Sequence, residues 1–386
     1  MRYKSSSLKD LISFISKGIV PKYANSHDKN VIRVINQRCN RNGEITFKEA
    51  RYSDLSKRKV TNEKLLKNKD ILINSTGKGT AGRVAQISEN QLTEPTTVDG
   101  HMIIIRPSEK IDPDYLGYAL KAQQRVIESY AEGSTGQTEI NKQRLLDETI
   151  IKYPSKEEQR KIANIFINLD MKIKNNQKIN TNLLELTALL WKNKFSLYNE
   201  TTTIESYGEI ISGGTPSKKK IEYYIDGTIS WITPKDLSNS DSLYINKGAL
   251  NITDIGLNQS SAKLLKKGTI LYSSRAPIGY IAIAARELST NQGFKSIQPH
   301  KQKYTEFLYH LMKFITPNII NSASGSTFKE ISIRGMKAIK VPKVSEKDIE
   351  SYHFIVKPLF DKIRLLEQEN IKLKKLKNAL LVKLLN

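Results

Sequence analysis

Two stretches of the chain place apolar residues on a seven-residue repeat. Across 155–198, Ile162, Leu169, Leu183 and Leu190 hold one phase, with Phe166 and Ile173 beside them. Across 344–386, Tyr352, Leu359, Leu366, Leu373 and Leu380 do the same, flanked by Val356 and Ile363. A sustained heptad predicts a long helix with a coiled-coil seam. Asn176 fills the gap in the first stripe, and Asn180 falls at the position equivalent to Asn370. Buried near mid-helix, such residues fix register at a cost in stability; solvated, they do nothing, and spacing alone does not decide between the two. About 44 residues at 1.5 Å each make a helix of about 65 Å. Two helices of that length in one chain predict an antiparallel coiled coil.

Outside these stretches the pattern changes to short runs rich in β-branched residues and separated by glycine turns. It also repeats. Gly133-Ser134-Thr135 returns as Gly325-Ser326-Thr327 at an offset of 192, and Pro107, Leu116 and Lys121 return as Pro299, Leu308 and Lys313 at the same offset. Leu65-Leu66-Lys67 with Ile71-Leu72 is matched by Leu264-Leu265-Lys266 with Ile270-Leu271, and Pro154 by Pro342. Leu183, Leu186 and Leu190 answer Leu373, Leu376 and Leu380 at an offset of 190. A near-constant offset over so long a stretch indicates an internal duplication. The reading is a mixed α/β (α+β) module at 1–154, a helix at 155–198, a second module at 199–343 and a second helix at 344–386.

Charge narrows the partner. The 386 residues include 62 Lys and Arg against 39 Asp and Glu, a net +23. Each module carries +8, from 26 basic against 18 acidic residues in the first and 19 against 11 in the second. Two equally basic modules predict two equivalent contacts with one polyanion, nucleic acid first and an anionic membrane as rival. No apolar run reaches 18 residues and Met1–Asp10 has no signal-peptide pattern, so a cytoplasmic protein is expected. A single cysteine, Cys39, excludes an internal disulfide framework and a Cys-pair zinc site. The five histidines (27, 101, 300, 310 and 353) form no His-x3-His pair, so no metal is expected.

Several motifs invite chemistry. Gly77-Lys78-Gly79-Thr80-Ala81-Gly82 fits G-x-G-x-x-G after the strand-like run 70–74, but a dinucleotide site needs a helix next. Arg83-Val84-Ala85-Gln86-Ile87 alternates like a strand instead, so a hairpin loop is expected, with Lys78 and Arg83 able to meet phosphate. The equivalent place in the second half, Ser273-Ser274-Arg275-Ala276-Pro277-Ile278-Gly279, puts one Arg at a tight turn. That suits bidentate guanine or phosphate contact, or a structural turn. Lys218, Lys219 and Lys220 follow Gly213-Gly214-Thr215-Pro216-Ser217 as a basic loop, either on phosphate or solvated. Arg33, Asn36, Gln37, Arg38 and Arg41 gather the side-chain types that read base edges. Asp170-Met171-Lys172 imitates a nuclease D-x-K but lies among the heptads, where a solvated helix face is expected. No catalytic triad, zincin motif or methyltransferase tetrapeptide is present, so the chain is read as binding and positioning without catalysis.

With these residues in view, the chain resembles the specificity (S) subunit of type I restriction–modification systems over essentially its whole length. The resemblance rests on the duplicated layout and on Ile210-Ile211-Ser212-Gly213-Gly214-Thr215-Pro216-Ser217, then Ile229-Ser230-Trp231-Ile232-Thr233-Pro234-Lys235-Asp236-Leu237. Ser274-Arg275-Ala276-Pro277-Ile278-Gly279, Ser289-Thr290-Asn291-Gln292-Gly293, the two Gly-Ser-Thr segments and the run from Pro154 to Ala163 complete it. The first module departs more, with Lys17-Gly18-Ile19-Val20-Pro21 in place of the Gly-Gly-Thr-Pro turn. The resemblance implies two target-recognition domains, each reading one half of a bipartite double-stranded DNA site, with helices that set the spacer. It adds Lys235, Asn291 and Gln292 to the DNA-contact candidates. It further implies two modification subunits using S-adenosylmethionine to methylate adenine N6, and restriction subunits using ATP and Mg. The alternative is a two-lobed basic coiled-coil scaffold that binds RNA or anionic membrane without sequence specificity.

Overall fold

The computed structural model describes residues 3–133, 138–324 and 329–385, and it divides into two compact units. The first is built from Met1–Lys172 and Leu373–Asn386, the second from Ile173–Lys372. The paired Gly-Ser-Thr segments, apart from Gly133, lie outside the described residues.

In the first unit, Lys4–Ser7 pairs antiparallel with Ile150–Tyr153. A four-stranded sheet follows in the order Ile12–Lys17, Met102–Pro107, Ile71–Asn74, Val84–Gln86, with every neighbour antiparallel. Side chains alternate between faces along a strand. Ile71, Ile73, Ile103 and Ile105 therefore share one buried cluster with Tyr115 and Leu116 of the helix Pro113–Ala122. Leu72, Met102 and Ile104 face the other way, into a cluster with Ile35 and Cys39. Both faces are covered, which explains why these strands read as continuous apolar runs. A second sheet has the order Thr96–Val98, Val31–Ile35, Arg51–Asp54, Tyr23–Ala24, and its first pair is parallel.

The second unit repeats this plan. Thr201–Thr203 pairs with Lys340–Pro342. One sheet runs Gly208–Ser212, Lys295–Pro299, Ile270–Ser274, Ile278–Ala284, Tyr244–Ile245. The other runs Leu250–Ile252, Ile229–Ile232, Leu288–Thr290, Leu264–Leu265, again with a parallel pair, Ile229–Ile232 beside Leu288–Thr290. The duplication read from scattered tripeptides is thus a duplication of the central strand order, while the edge strands Tyr23–Ala24, Tyr244–Ile245 and Leu264–Leu265 differ between the units.

The two long helices are Lys156–Phe195 and Glu346–Leu385. Each starts at a serine cap. The Glu158 amide donates to Ser155 Oγ (3.4 Å), and Ser155 Oγ donates back to the Glu158 carboxylate (3.1 Å). Ser345 and Asp348 repeat the exchange at 3.2 and 2.6 Å. In each pair the serine oxygen satisfies one amide that a helix start leaves orphaned, and the hydroxyl-to-carboxylate contact holds the serine in place.

Within each unit the helix segments run antiparallel. In the second, Asn176 meets Asn370, the Tyr352 hydroxyl donates to the Thr187 carbonyl (3.0 Å), and Lys194 donates to Ser351 (3.1 Å). In the first, Lys377 donates to Asp170 (2.6 Å). Buried apolar positions include Phe166, Ile173, Trp191 and Phe195 on one helix and Tyr352, Val356, Phe360 and Ile363 on the other. Leu169, Leu183, Leu190, Leu359, Leu373 and Leu380 are half-buried, while Leu366 is buried. The seam is wider than a two-position heptad because each segment also packs on the module of its own unit: Phe166 joins the first unit's core, and Trp191 and Phe195 the second's.

One expectation fails here, and an open alternative is decided. Asp170 is not on a solvated face: it accepts hydrogen bonds from the Tyr118 hydroxyl (2.8 Å) and from Lys377, which fixes the helix to its module. Asn176 is buried and paired with Asn370, whereas Asn180 makes no such pair. Antiparallel packing brings together residues from opposite ends of the repeat, so the positional mates of the sequence are not neighbours in space.

Candidate nucleic-acid interface

The glycine loop of the first unit is a hairpin tip between Ile71–Asn74 and Val84–Gln86, and no helix follows it. Gly77, Gly79 and Gly82 all have positive φ, at 100°, 74° and 84°, which a side chain would strain. The Arg83 guanidinium donates to the Gly79 carbonyl (2.9 Å), closing the loop from below, and Lys78 stands exposed on it. The segment 36–41 meets this loop. Thr80 donates to the Gln37 side chain (3.2 Å), and the Asn74 amide donates to the Gln37 carbonyl (3.2 Å). The fold therefore brings together two groups of candidates that lie about 40 residues apart in sequence.

Not all of them remain free. Arg33 is buried, paired with Glu94 (2.9 Å), donating to Thr96 Oγ1 (3.1 Å) and lying over the Phe47 ring at 3.9 Å. It holds two strands together and cannot reach a base edge. Its environment comes from residues 14 to 63 positions away, which strand spacing does not reveal. Asn36 caps a short turn by accepting from the Arg38 amide (2.9 Å) and donates to the Glu49 carbonyl (2.6 Å). Arg38, Arg41 and Lys78 are the exposed cations of this group.

In the second unit, Ser274 is fully buried and donates to the Gly293 carbonyl (3.1 Å), so it is also lost as a contact. Asn291 accepts from the Gly293 amide (2.9 Å), shaping a turn from which Gln292 projects exposed. The glycines of Gly213-Gly214 explain themselves against this turn. A Cβ on Gly213 would sit 2.0 Å from the Asn291 carbonyl oxygen, and one on Gly214 would sit 2.2 Å from Ser261. Trp231 Nε1 donates to the Gly214 carbonyl (3.0 Å) and locks the turn in place. Lys218, Lys219 and Lys235 are exposed; Lys220 donates to the Tyr223 hydroxyl (2.9 Å) and lies over that ring, so part of its charge is already engaged.

Arg275 is half-exposed and pairs with Glu330 (3.4 Å), whose other carboxylate oxygen is 3.6 Å from the buried Lys295. The first unit has the counterpart: Glu139, one residue off the repeat offset, pairs with Lys17. Backbone bridges Thr76–Glu139 and Arg275–Glu330 place both glutamates at the same point in the two units. These acids escaped the sequence reading, although they stand four and three residues beyond the repeated Gly-Ser-Thr segments. Asp99 was missed as well. It accepts from the His101 amide (3.0 Å) as Asn291 does from Gly293, and burial pushes its carboxyl above the ordinary range.

Among the described residues, no group of three His, Cys, Asp or Glu side chains is placed to hold a metal. No described helix is long and apolar enough to cross a membrane. The arrangement is two similar sets of basic turns on two copies of one scaffold.

The sequence profile of the type I restriction modification DNA specificity domain matches residues 2–185 and again 199–375, and the chain belongs to that family. It is 39% identical over 175 residues to the type I restriction enzyme MjaIX specificity subunit of Methanocaldococcus jannaschii, a match covering 45% of this chain and 40% of that relative. The chain thus spans about two fifths of that relative's length. A longer match, 25% identical over 308 residues, covers 73% of this chain and 69% of the putative type I restriction enzyme MjaX specificity subunit of the same organism. The fold is similar to that of the S subunit of a type I restriction–modification system from M. genitalium, with a TM-score of 0.58, 19% identity and coverage of 100% of this chain and 96% of that one.

Proposed function

We propose that this chain is the DNA-reading specificity subunit of a type I restriction–modification complex, working in the cytoplasm without an active site of its own. Each basic module reads one half of a bipartite double-stranded site, and the long helices set the unread spacer. The observation that carries this reading is the duplication itself: two modules that share their central strand order, each +8, each followed by a helix of 40 residues. Exposed Arg38, Arg41 and Lys78 in one module and Lys218, Lys219 and Lys235 in the other supply phosphate contacts, which position a protein on the duplex. Half-exposed Arg275 and exposed Gln292 would be the side chains that reach bases.

Chemistry comes from partners. Two modification subunits would methylate adenine N6 from S-adenosylmethionine, and restriction subunits would add ATP- and Mg-dependent cleavage. Phe354, Ile355 and Leu365 of the second long helix are exposed apolar side chains, which supports protein partners along it. The test is to exchange residues 199–343 for the equivalent module of a relative and map methylated sites across the host genome. One half-site should change and the other stay; a change in both halves together would overturn modular reading.

A further inference from the structure

In the second unit, one layer of the helix seam is built from side-chain amides. There Asn176, only 1% exposed, donates to Asn370 Oδ1 (2.9 Å) and to Glu369 Oε2 (2.7 Å), and Asn370 donates to the Ile173 carbonyl (3.3 Å). All four residues belong to the second unit. The layer is asymmetric. The repeat offset of 190 maps Asn176 onto Leu366 and Asn370 onto Asn180, so the mirrored layer holds a leucine opposite an asparagine. Consistent with that, the buried Asn180 Oδ1 has no hydrogen-bond partner, nor has Asn176 Oδ1.

Helices with similar apolar stripes create a problem of alignment. Two similar apolar stripes tolerate small axial offsets, because one leucine packs against another almost as well as against its neighbour. A buried amide does not. Displaced from its partner, it leaves a donor and an acceptor unsatisfied in a dry seam. One polar layer without a symmetric twin therefore accepts one alignment. We infer that Asn176 and Asn370, buttressed by Glu369, are specificity-determining positioning residues: they fix the helix register and thereby hold the DNA spacer to a single length. The inference rests on the proposed reading of the helices as the spacer gauge.

The test uses the full chain with Asn176→Leu and Asn370→Leu together, and with Ala at both positions so that a packing fault in one variant does not decide the matter. Nitroxide labels at the exposed Lys178 and Gln368 report register by pulsed electron resonance. Methylation mapping in the co-expressed complex reports the spacer. The parent should give one narrow distance distribution and one spacer; both double variants should give a broadened distribution and a second spacer class one or two base pairs different, since one base pair is about 3.4 Å and the three or four residues between neighbouring stripe positions rise about 5–6 Å. The Leu pair should also raise the melting midpoint by about 2–4 °C while either single Leu variant lowers it. Unchanged narrow distributions in both double variants would overturn the lock. A broadened distribution with a single spacer would uphold the lock and overturn the helices as spacer gauge.

Discussion

The strand Val31–Ile35 of the first unit carries a buried cation, Arg33, where the equivalent strand Ile229–Ile232 of the second carries Ser230. The equivalence is set by the backbone: the Asp99 amide donates to the Ile35 carbonyl as the Asn291 amide does to Ile232 (2.9 Å in both). Arg33 reaches outward to Glu94, Thr96 and Phe47, whereas Ser230 accepts from Arg286 (2.7 Å), a cation supplied by a loop. One residue on, Val34 of the first unit becomes Trp231, which ties down the Gly213-Gly214 turn. The ladder is kept while the side chains beneath the turns differ. A scaffold of this kind can change what its turns present without changing how it folds, which suits the proposed reading of two half-sites.

The contrast can be broken. Trp231→Ala should cost about 3–5 kcal/mol in urea unfolding, because a buried indole leaves a cavity and an unanswered carbonyl on Gly214. Val34→Ala, at the equivalent place, should cost far less. Arg33→Ala should cost about 2–3 kcal/mol and leave DNA contacts by the second module intact, since it removes a buried hydrogen bond and a ring contact rather than a reading group. If Arg33→Ala instead left stability unchanged and abolished one half-site, its burial would not describe its role.

A pH profile sharpens the comparison further. Glu367 of the second helix accepts backbone amides from Leu243 (2.5 Å) and Tyr244 (3.1 Å), and burial pushes its carboxyl up to about 7. The repeat places Gln177 at that position in the first helix. A carboxyl raised above its unfolded value favours the folded state while protonated, and that advantage is lost as pH rises from about 4.5 through 7. The second unit should weaken by up to about 3 kcal/mol over that interval, and Glu367→Gln should flatten the slope. Hydrogen exchange resolved by unit would show it.

Smaller effects concern the nucleic acid. Arg275→Ala should cost about 1–3 kcal/mol and relax one base position if the guanidinium leaves Glu330 for a base, whereas a uniform loss over all sites would assign it to phosphate. Lys78→Ala and Lys218→Ala should each flatten the dependence of log affinity on log salt by about 0.9.

Much of the architecture was legible because it is periodic. Heptads announce the long helices, and the repeat announces two modules. The side chains that close the turns were not legible, for a physical reason: Arg33, Ser274 and Asn36 have the chemistry of contact residues, and only the folding of distant strands around them uses that chemistry up. Glu139 and Glu330 were hidden in the opposite sense, as acids in a basic protein, although the repeat marks both. The pairing of Asn176 with Asn370 was obscured by direction, since chain-parallel offsets do not describe an antiparallel seam.

The first unit is assembled from two distant pieces of chain, and this bears on how the protein is made. Residues 173–372 are contiguous and can fold as they leave the ribosome. The first unit is translated earlier, yet its core includes Leu385, buried to 2% exposure, with Leu380, Leu381 and Leu384 packed beside it. Until that last stretch emerges, Ile162, Ala163 and Phe166 of the same core have an uncovered side. Synthesis thus runs in one direction and completion in the other: the module made first is finished last, and a message cut a few codons short of Leu385 would damage the amino-terminal half of the protein.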